Sequence, residues 1–412
     1  MRILVKNIKG LYQVEQTKRM AVCGNDMADL PCIENAFLIA QDGIITDFGR
    51  MEDLQEPNAD KVYDAYNRYV LPCFADSHTH LVYAGSREIE YIDKIRGLSY
   101  EEIAERGGGI VNSALRLQQT DEQQLYEEAM QRIDSMIKHG TGAIEIKSGY
   151  GFTLEAEMKM LRVIRKIKEN SPAIIKANFL GAHGIPLEYR GRQSEFVDDL
   201  VIKQMIPMVA KENLADFIDV FCDKGFFTVE ETDRILFEGV KYGLKPKIHA
   251  NELAKSGGIQ VGVKYNALSV DHIEHTGKEE MEVLMASQTM PTILPGAAFF
   301  LNMPYAPAKD MIAYGLPVAM ASDFNPGSSP SGNMQLILTF ACVNYRLTPQ
   351  QAINATTINS AYAMDAVEQC GSICKGKRAN FFITKEIPTI EYIPYYYGEN
   401  KVDKVFLNGK EQ

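Results

Sequence analysis

Two histidines spaced two residues apart are the clearest candidates for chemistry in this sequence. His78 and His80 follow an apolar run at residues 69–73 that predicts a buried strand. Side chains alternate between the faces of an extended segment, so the two imidazoles point the same way. Both rings are therefore placed to bind a single metal ion. One solvated and one core histidine would produce the same spacing, and only the rest of the chain separates the two interpretations.

Later strand-like runs also end in polar residues that bind metals or move protons. His249, His272 and Asp323 each close such a run. Three imidazoles from this set and a carboxylate, with one coordination position left open, suit zinc or iron(II). Such an ion activates water at neutral pH, and Asp323 is suited both to bind it and to take the proton of the water. Glu252, three residues after His249, is expected near the same point to move protons or to hold an N–H of the substrate.

The apolar runs alternate with amphipathic stretches, which indicates how these residues meet. After the first run, the predicted strands cover residues 141–147, 174–180, 216–221, 245–249, 267–272, 290–294 and 318–323. Helices are predicted at 122–138, capped by Asp121, and at 154–167 and 229–242. Eight strands alternating with helices over about 300 residues predict an α/β fold with a (β/α)8 TIM barrel at residues 69–367. The carboxyl ends of its strands would hold the polar residues, with the loop 81–120 over the mouth.

The two ends of the chain resemble each other more than they resemble the middle. Short strands are predicted at residues 2–5, 36–40 and 44–48, and again at 379–384 and 402–410. Asp42-Gly43 between two apolar runs is typical of a β-hairpin. We therefore predict a small β-sandwich domain built from residues 1–68 and 368–412.

Composition limits the classes of partner. A net charge of -11 argues against nucleic acid and anionic membranes, which need concentrated positive charge. The seven cysteines form no CxxC pair, which favours reduced thiols in a cytoplasmic protein. The first residues contain no apolar signal core, and no apolar run is long enough to span a membrane.

The order of the polar residues resembles the amidohydrolase superfamily. That family places an HxH pair on the first barrel strand, histidines on the fifth and sixth, and an aspartate on the eighth. Many members also carry a lysine on the fourth strand that bridges two metals, whereas residues 216–221 contain no lysine. The resemblance therefore implies one Zn(2+) or Fe ion per chain rather than two.

A closer resemblance, to the imidazolonepropionase family, covers nearly the whole chain. It rests on residues 76–87, 107–110, 145–151, 181–186, 247–252 and 321–330. Residues 147–151 and 321–330 are the most specific, because amidohydrolases in general do not share them. The resemblance implies hydrolysis of the ring C–N bond of 4-imidazolone-5-propanoate to N-formimino-L-glutamate in histidine degradation. It also implies a homodimer.

The same resemblance implies roles for individual residues. The metal would be bound by His78, His80, His249 and Asp323. His272 would polarise the carbonyl and stabilise the oxyanion, Asp323 would accept the water proton, and Glu252 would contact the ring nitrogens.

The remaining candidates would bind the substrate. Arg87 is suited to grip the propanoate with two parallel hydrogen bonds, although a surface ion pair with Glu88 or Glu90 would equally explain it. The side chain of Asn325 and the amides of its turn are suited to a carboxylate or an oxyanion. The candidate substrate contacts are Arg87, Tyr100, Tyr150, His183, Glu252, Asn325, Gly327 and Ser328. His275 is expected to be peripheral, although its position three residues after His272 leaves open which histidine faces the metal.

Two other functions fit part of the pattern. Another cyclic amidohydrolase or a nucleobase deaminase would use the same scaffold. A deaminase would attack a ring carbon bearing an amino group and would not need Arg87 to anchor a carboxylate. A non-catalytic metal-binding barrel would keep the fold, but Asp323 and Glu252, the proton-handling groups, are both present.

Overall fold

A parallel barrel forms the centre of the molecule. The computed structural model describes residues 1–55, 58–98, 102 and 108–412. The barrel strands are neighbours in chain order: Phe74–Thr79, Thr141–Lys147, Ile174–Ala182, Phe217–Cys222, Lys245–Pro246 with Ile248–Ala250, Ser269–His272, Met290–Ile293 and Ala319–Met320. The segment after the last strand returns to the first, where His80 N donates to Phe324 O at 2.9 Å and Asp323 N donates to His78 O at 3.0 Å. The predicted α/β barrel is confirmed.

Helices cover the outside of the barrel and bury an apolar core against its strands. The helix Glu122–Lys138 begins as predicted, because the Asp121 carboxylate accepts a hydrogen bond from Gln124 N at 2.9 Å. Its buried face contains Leu125, Ala129, Ile133, Met136 and Ile137. Two other predicted helices span Leu154–Asn170 and Val229–Lys241.

The other α-helices of the described residues are mostly short. They span Glu88–Ile95, Gly109–Gln119, Gln193–Glu195, Ile206–Glu212, Gly258–Lys264, Lys278–Met285, Pro295–Leu301, Ala308–Tyr314, Met334–Val343, Pro349–Thr356, Ile358–Ala363 and Tyr392–Tyr395. A π-helical turn spans Phe196–Met205. Within the described ranges, no helix has both the length and the apolar character that crossing a bilayer requires.

Both ends of the chain meet in one eight-stranded mixed sheet. Its strands are Arg2–Tyr12, Cys32–Gln41, Ile44–Arg50, Lys61–Asp64, Tyr69–Pro72, Phe381–Thr384, Val402–Leu407 and Lys410–Glu411. The predicted hairpin forms, with positive φ at both Asp42 and Gly43. The division into a barrel domain of residues 69–367 and a terminal domain of residues 1–68 and 368–412 stays a prediction.

The apolar run before the histidine pair belongs to this terminal sheet. Tyr69–Pro72 pairs with the strand Phe381–Thr384, and Phe74 begins the first barrel strand after the single residue Cys73. His78 therefore lies on a separate short strand, Phe74–Thr79, with His80 directly after its end, rather than at the end of the run at 69–73. Apolar periodicity predicts that a run is buried but not which sheet it joins.

Candidate metal centre and active-site cavity

The imidazoles predicted to bind a metal converge on one point. The Nε2 atoms of His78 and His80 are 3.3 Å apart, and Asp323 Oδ1 lies 3.5 Å from each of them. One ring nitrogen each of His78, His80 and His249 lies within 4.8 Å of the others. Strand alternation places the first two, because His78 is in the strand and His80 follows it by two residues. We call these three histidines and Asp323 the candidate metal site.

Carboxylates behind the rings orient two of the histidines. His78 Nδ1 lies 2.7 Å from Asp271 Oδ2, and His249 Nδ1 lies 3.0 Å from Asp219 Oδ1. A proton on each Nδ1 leaves the Nε2 lone pair facing the centre, an arrangement common to histidines that bind metals. Within the described part of the chain, buried His249 Nε2 has no hydrogen-bond partner.

The electrostatics also suit a cation. Burial lowers the pKa values of His78 and His80 well below the ordinary histidine value, so both rings are neutral and suited to bind a cation. Burial raises the pKa of Asp323 to about 6, partly opposed by His249. Neutral nitrogens and one carboxylate around a buried point fit zinc or iron(II).

A group of buried charges lies beneath the candidate metal site. Lys147 Nζ is 2.6 Å from Glu145 Oε1 and 2.8 Å from Asp219 Oδ2. Lys247 Nζ is 2.6 Å from Glu145 Oε2, and Asp271 Oδ2 is 3.6 Å from Lys147 Nζ. We call Glu145, Lys147, Asp219, Lys247 and Asp271 the buried ion cluster. Burial opposes the charge of Lys147, but Asp219 and Glu145 outweigh it and raise its pKa.

No member of this cluster was among the predicted site residues. All five lie inside or next to apolar barrel strands, where a charged side chain is unusual. The sequence did contain a signal for this cluster, because a charged side chain within a predicted barrel strand needs a partner inside the barrel. Two of the carboxylates, Asp219 and Asp271, join the cluster to His249 and His78.

A cavity of about 540 Å³ opens over the candidate metal site. The predicted site residues on its wall are His80, Arg87, Tyr150, His183, His249, Glu252, His272, Asp323, Asn325, Gly327 and Ser328. Tyr100, the remaining predicted substrate contact, lies outside the described residues. The loop that carries it contains the helices Glu88–Ile95 and Gly109–Gln119, and Arg87 lies at the start of the first.

Two cations stand together on the cavity wall. Arg87 Nε lies 3.1 Å from Glu90 Oε2, so the ion pair considered for Arg87 exists while the same side chain lines the cavity. Lys94 Nζ donates to Gly327 O at 3.0 Å. A Cβ at Gly327 would lie 2.0 Å from Arg87 Nη1, so only glycine allows the guanidinium this close approach. Lys94 was not among the predicted site residues, because its position in the sequence is that of a basic residue in the last turn of a surface helix.

Aromatic side chains form another part of the wall. The His183 ring stacks on His80 with centroids 5.0 Å apart and planes at 15°, and the Tyr150 ring lies 5.4 Å from His183. His183 Nδ1 is 3.2 Å from Gly149 O. The buried Glu157 carboxylate accepts hydrogen bonds from Gly149 N and Gly151 N, which holds the turn that carries Tyr150.

Asn325 shapes the turn next to Asp323. Its Oδ1 accepts hydrogen bonds from Gly327 N and Ser328 N at 2.8 Å each, and its Nδ2 donates to Asp323 O at 2.7 Å. Ser328 Oγ donates to Asp323 Oδ2 at 3.2 Å. The polar atoms of Asn325 are thus engaged within the turn, and a direct contact with substrate stays a prediction.

Glu252 and His272 lie side by side. His272 Nε2 is 3.6 Å from Glu252 Oε2. Burial, reinforced by the carboxylates of Asp323 and Asp223, raises the pKa of Glu252 to about 8. His275 is not on the cavity wall; its backbone pairs with Asn251 through hydrogen bonds of 2.9 and 3.0 Å.

Comparison with known proteins agrees with this geometry. Residues 69–411 match the model of the Amidohydrolase family, whose members are metal-dependent hydrolases. An imidazolonepropionase of Flavobacterium johnsoniae is 53% identical over 407 residues, covering 99% of each chain. One of Christiangramia forsetii is 52% identical over 410 residues, covering 100% of each.

Solved structures with little sequence similarity share the fold. A triazine hydrolase variant matches with a TM-score of 0.75 at 13% identity, over 100% of this chain and 94% of that one. An adenosine deaminase from Xanthomonas campestris with bound zinc matches with a TM-score of 0.70 at 14% identity, over 99% and 92%. These matches establish the fold alone, whereas the full-length relatives and the family model establish the family. The chain belongs to the imidazolonepropionase family of amidohydrolases.

Proposed function

We propose that this protein hydrolyses the ring C–N amide bond of 4-imidazolone-5-propanoate, producing N-formimino-L-glutamate in histidine catabolism. The observation that carries the proposal is a cavity with the candidate metal site and the proton-handling Glu252 and Asp323 on one part of its wall and two cations on another. A cyclic amide with a carboxylate tail needs the metal site and the proton-handling groups for its ring, and the cations for its tail. The relatives that are about half identical over the whole chain support the same reaction.

His78, His80, His249 and Asp323 would hold one metal ion per chain. Zinc and iron(II) both accept this set of nitrogen and oxygen ligands, so either metal fits. When bound, the ion would supply Lewis acidity that makes water a nucleophile at neutral pH. The unpartnered His249 Nε2 and the close pair of Nε2 atoms on His78 and His80 support this assignment.

The protein groups around the cavity would move the protons. Asp323 accepts a proton from the attacking water. His272 donates a hydrogen bond from Nε2 to the ring carbonyl and stabilises the oxyanion. Glu252, whose raised pKa keeps it protonated at neutral pH, contacts the ring nitrogens and gives its proton to the nitrogen that leaves. Transfer of the proton from Asp323 to Glu252 then returns both carboxyl groups to their starting protonation states.

Arg87 and Lys94 would bind the propanoate tail. Both line the cavity, and Gly327 allows the Arg87 guanidinium to lie against the turn that follows Asp323. Arg87 holds the carboxylate through charge-assisted hydrogen bonds. The other proposed substrate contacts are Tyr100, Tyr150, His183, Asn325, Gly327 and Ser328.

We also propose a cytoplasmic homodimer. The helix Glu88–Ile95 leaves three apolar side chains exposed to solvent, Ile89, Ile92 and Ile95. Clustered exposed apolar side chains favour contact with another protein surface. The scattered free cysteines suit a reducing compartment.

A turnover assay with enzymatically generated 4-imidazolone-5-propanoate tests the function, together with metal analysis of the purified protein. We expect loss of the substrate and appearance of N-formimino-L-glutamate, in proportion to about one bound metal per chain. A filled metal site without turnover would reject this substrate. Release of ammonia from aminated purines or pyrimidines would instead identify a deaminase.

A further inference from the structure

A buried carboxyl group behind His272 has no place in the mechanism above. Glu274 is 6% exposed, and among the described residues neither of its carboxylate oxygens has a hydrogen-bond partner. Its Oε1 lies 3.9 Å from His272 Nδ1, which is also buried and unpartnered in the described part of the chain. Buried polar atoms without partners are rare because each one costs free energy, and they call for an explanation.

The backbone between these two residues is strained. His272 has a φ of 78° and Ile273 a φ of 61°, which is the left-handed region that β-branched residues avoid. Two hydrogen bonds of 2.9 Å hold the turn, from Ile273 N to Ala250 O and from His275 N to Asn251 O. Such strain costs free energy and persists where the surrounding structure requires it, most often at functional sites. Here it brings the Glu274 carboxyl to the Nδ1 edge of His272.

We propose that Glu274 is a positioning residue for His272: its protonated carboxyl donates a hydrogen bond to His272 Nδ1 and holds the ring as the Nε2–H tautomer. This inference rests on the proposed function, in which His272 Nε2 must donate to the ring carbonyl. With the proton on Nδ1 instead, Nε2 would present a lone pair to the developing oxyanion and repel it. Glu274 Oε1 and His272 Nδ1 lie 3.9 Å apart, and catalytic contacts of this kind tighten in the substrate complex.

The charges around Glu274 keep it protonated. Burial raises its pKa well above the ordinary value, and the carboxylates of Asp323 and Asp223 act in the same direction. Tyr345 also faces it, and burial together with Glu274 raises the pKa of that hydroxyl. His272 is buried between two carboxyl groups, with Glu252 at its Nε2 edge and Glu274 at its Nδ1 edge, so the nitrogen that holds the proton decides what each edge can donate.

Two substitutions separate this role from a merely structural one. Glu274→Gln keeps a donor for Nδ1 but cannot ionise, so we expect kcat near that of the native protein. Glu274→Leu removes the donor, and we expect kcat to fall about 10- to 100-fold, the usual cost of losing a group that orients a functional histidine, with little change in KM. Glu280→Leu is the control, because Glu280 is a buried carboxyl that caps the helix Lys278–Met285 and pairs with Lys255.

The tautomer itself gives a readout that needs no substrate. The measurement is ¹⁵N NMR of zinc-loaded protein labelled with ¹⁵N-histidine. The resonances of His272 are assigned by their loss in His272→Gln. We expect the Nε2–H form in the native protein and in Glu274→Gln. Glu274→Leu should lose that form, and Glu280→Leu should keep it. A native Nδ1–H form, an unchanged tautomer in Glu274→Leu, or a Glu274→Gln variant as impaired as Glu274→Leu would overturn the proposal. If the native protein does not turn over the imidazolone, the proposed function fails while the spectra still decide the tautomer.

Discussion

The candidate metal site and the buried ion cluster are both groups of buried polar side chains in one barrel, yet they are built differently. In the ion cluster, lysines and carboxylates pair at 2.6 to 2.8 Å. In the candidate metal site, two imidazole nitrogens lie 3.3 Å apart, and His249 Nε2 has no hydrogen-bond partner among the described residues. Buried charges of opposite sign satisfy one another, whereas groups left open at a common point are placed for a ligand.

The backbone shows the same contrast. Asn251, His272 and Asp323, all at the cavity end of the barrel, have positive φ values of 55°, 78° and 53°. The residues of the buried ion cluster are not among the positions with positive φ. Backbone of this kind therefore occurs where side chains are aimed into the cavity, whereas the charges beneath lie on residues with ordinary backbone.

Removing the carboxylate of the candidate metal site should have the largest effect. Asp323→Ala should lower kcat by about 10³-fold or more, because the protein would lose the proposed proton acceptor, which is also a proposed metal ligand. The measurement is steady-state turnover with metal analysis of the same sample. Asp199→Ala, on the surface, is the control. Near-native activity in Asp323→Ala would show that the carboxylate is neither base nor ligand.

Breaking the buried ion cluster should instead damage stability. Lys147→Met leaves the carboxylates of Glu145 and Asp219 without their shared cation, which should cost about 3–5 kcal/mol of unfolding free energy. Urea unfolding followed by circular dichroism measures the loss. Lys203→Met removes an exposed ion pair and should leave the unfolding midpoint where it is. Equal urea unfolding midpoints for the two variants would show that the buried ion cluster stabilises the protein no more than an exposed ion pair does.

Arg87 should affect substrate binding more than chemistry. A charge-assisted hydrogen bond contributes about 1.5–3 kcal/mol, so Arg87→Ala should raise KM about 10- to 100-fold and leave kcat within a few-fold. Arg87→Lys should recover part of the affinity, since the charge remains without the planar fork. Arg192→Ala serves as an exposed control. A KM that does not change would remove Arg87 from carboxylate binding.

The smallest expected effect is a change with pH. Glu252 is proposed to act in its protonated form, and its pKa is raised to about 8. We therefore expect kcat/KM to be level near neutral pH and to fall as the pH rises through about 8. The decline should approach about tenfold per pH unit above that value. Glu252→Gln should be slower and should lose this alkaline decline. A profile that falls with acid instead would mean that the ionised carboxylate is the active form.

Local patterns in the sequence predicted the barrel and its cap residues well. Asp121 caps its helix, Thr141–Lys147 forms the second strand with the expected bounds, and Asp42-Gly43 closes a hairpin. Each depends on neighbours within a few residues, where alternation and capping act directly. The convergence of His78 and His80 follows from the same local rule.

Features that depend on distant parts of the chain were not predictable. The partner of His78 is Asp271, 193 residues away, and no periodicity links the two. Similarly, Tyr69–Pro72 joins the terminal sheet because it meets Phe381–Thr384, although its own residues are apolar enough for the barrel. Glu274 was overlooked because it lies between two histidines, and only the strained turn shows that its carboxyl faces His272.

The sharing of one sheet by both ends of the chain has a consequence for how the protein is made. Tyr69–Pro72 receives its antiparallel neighbour from residues about 300 positions later, so closing this contact carries a large loop-entropy cost. On the ribosome, the strand that leads into the histidine pair emerges early and waits with one edge unpaired until residues 381–384 are synthesised. Unpaired edges invite aggregation, and contacts of such long range form slowly. Pauses in translation before those residues should therefore lower the yield of folded protein more than pauses after them.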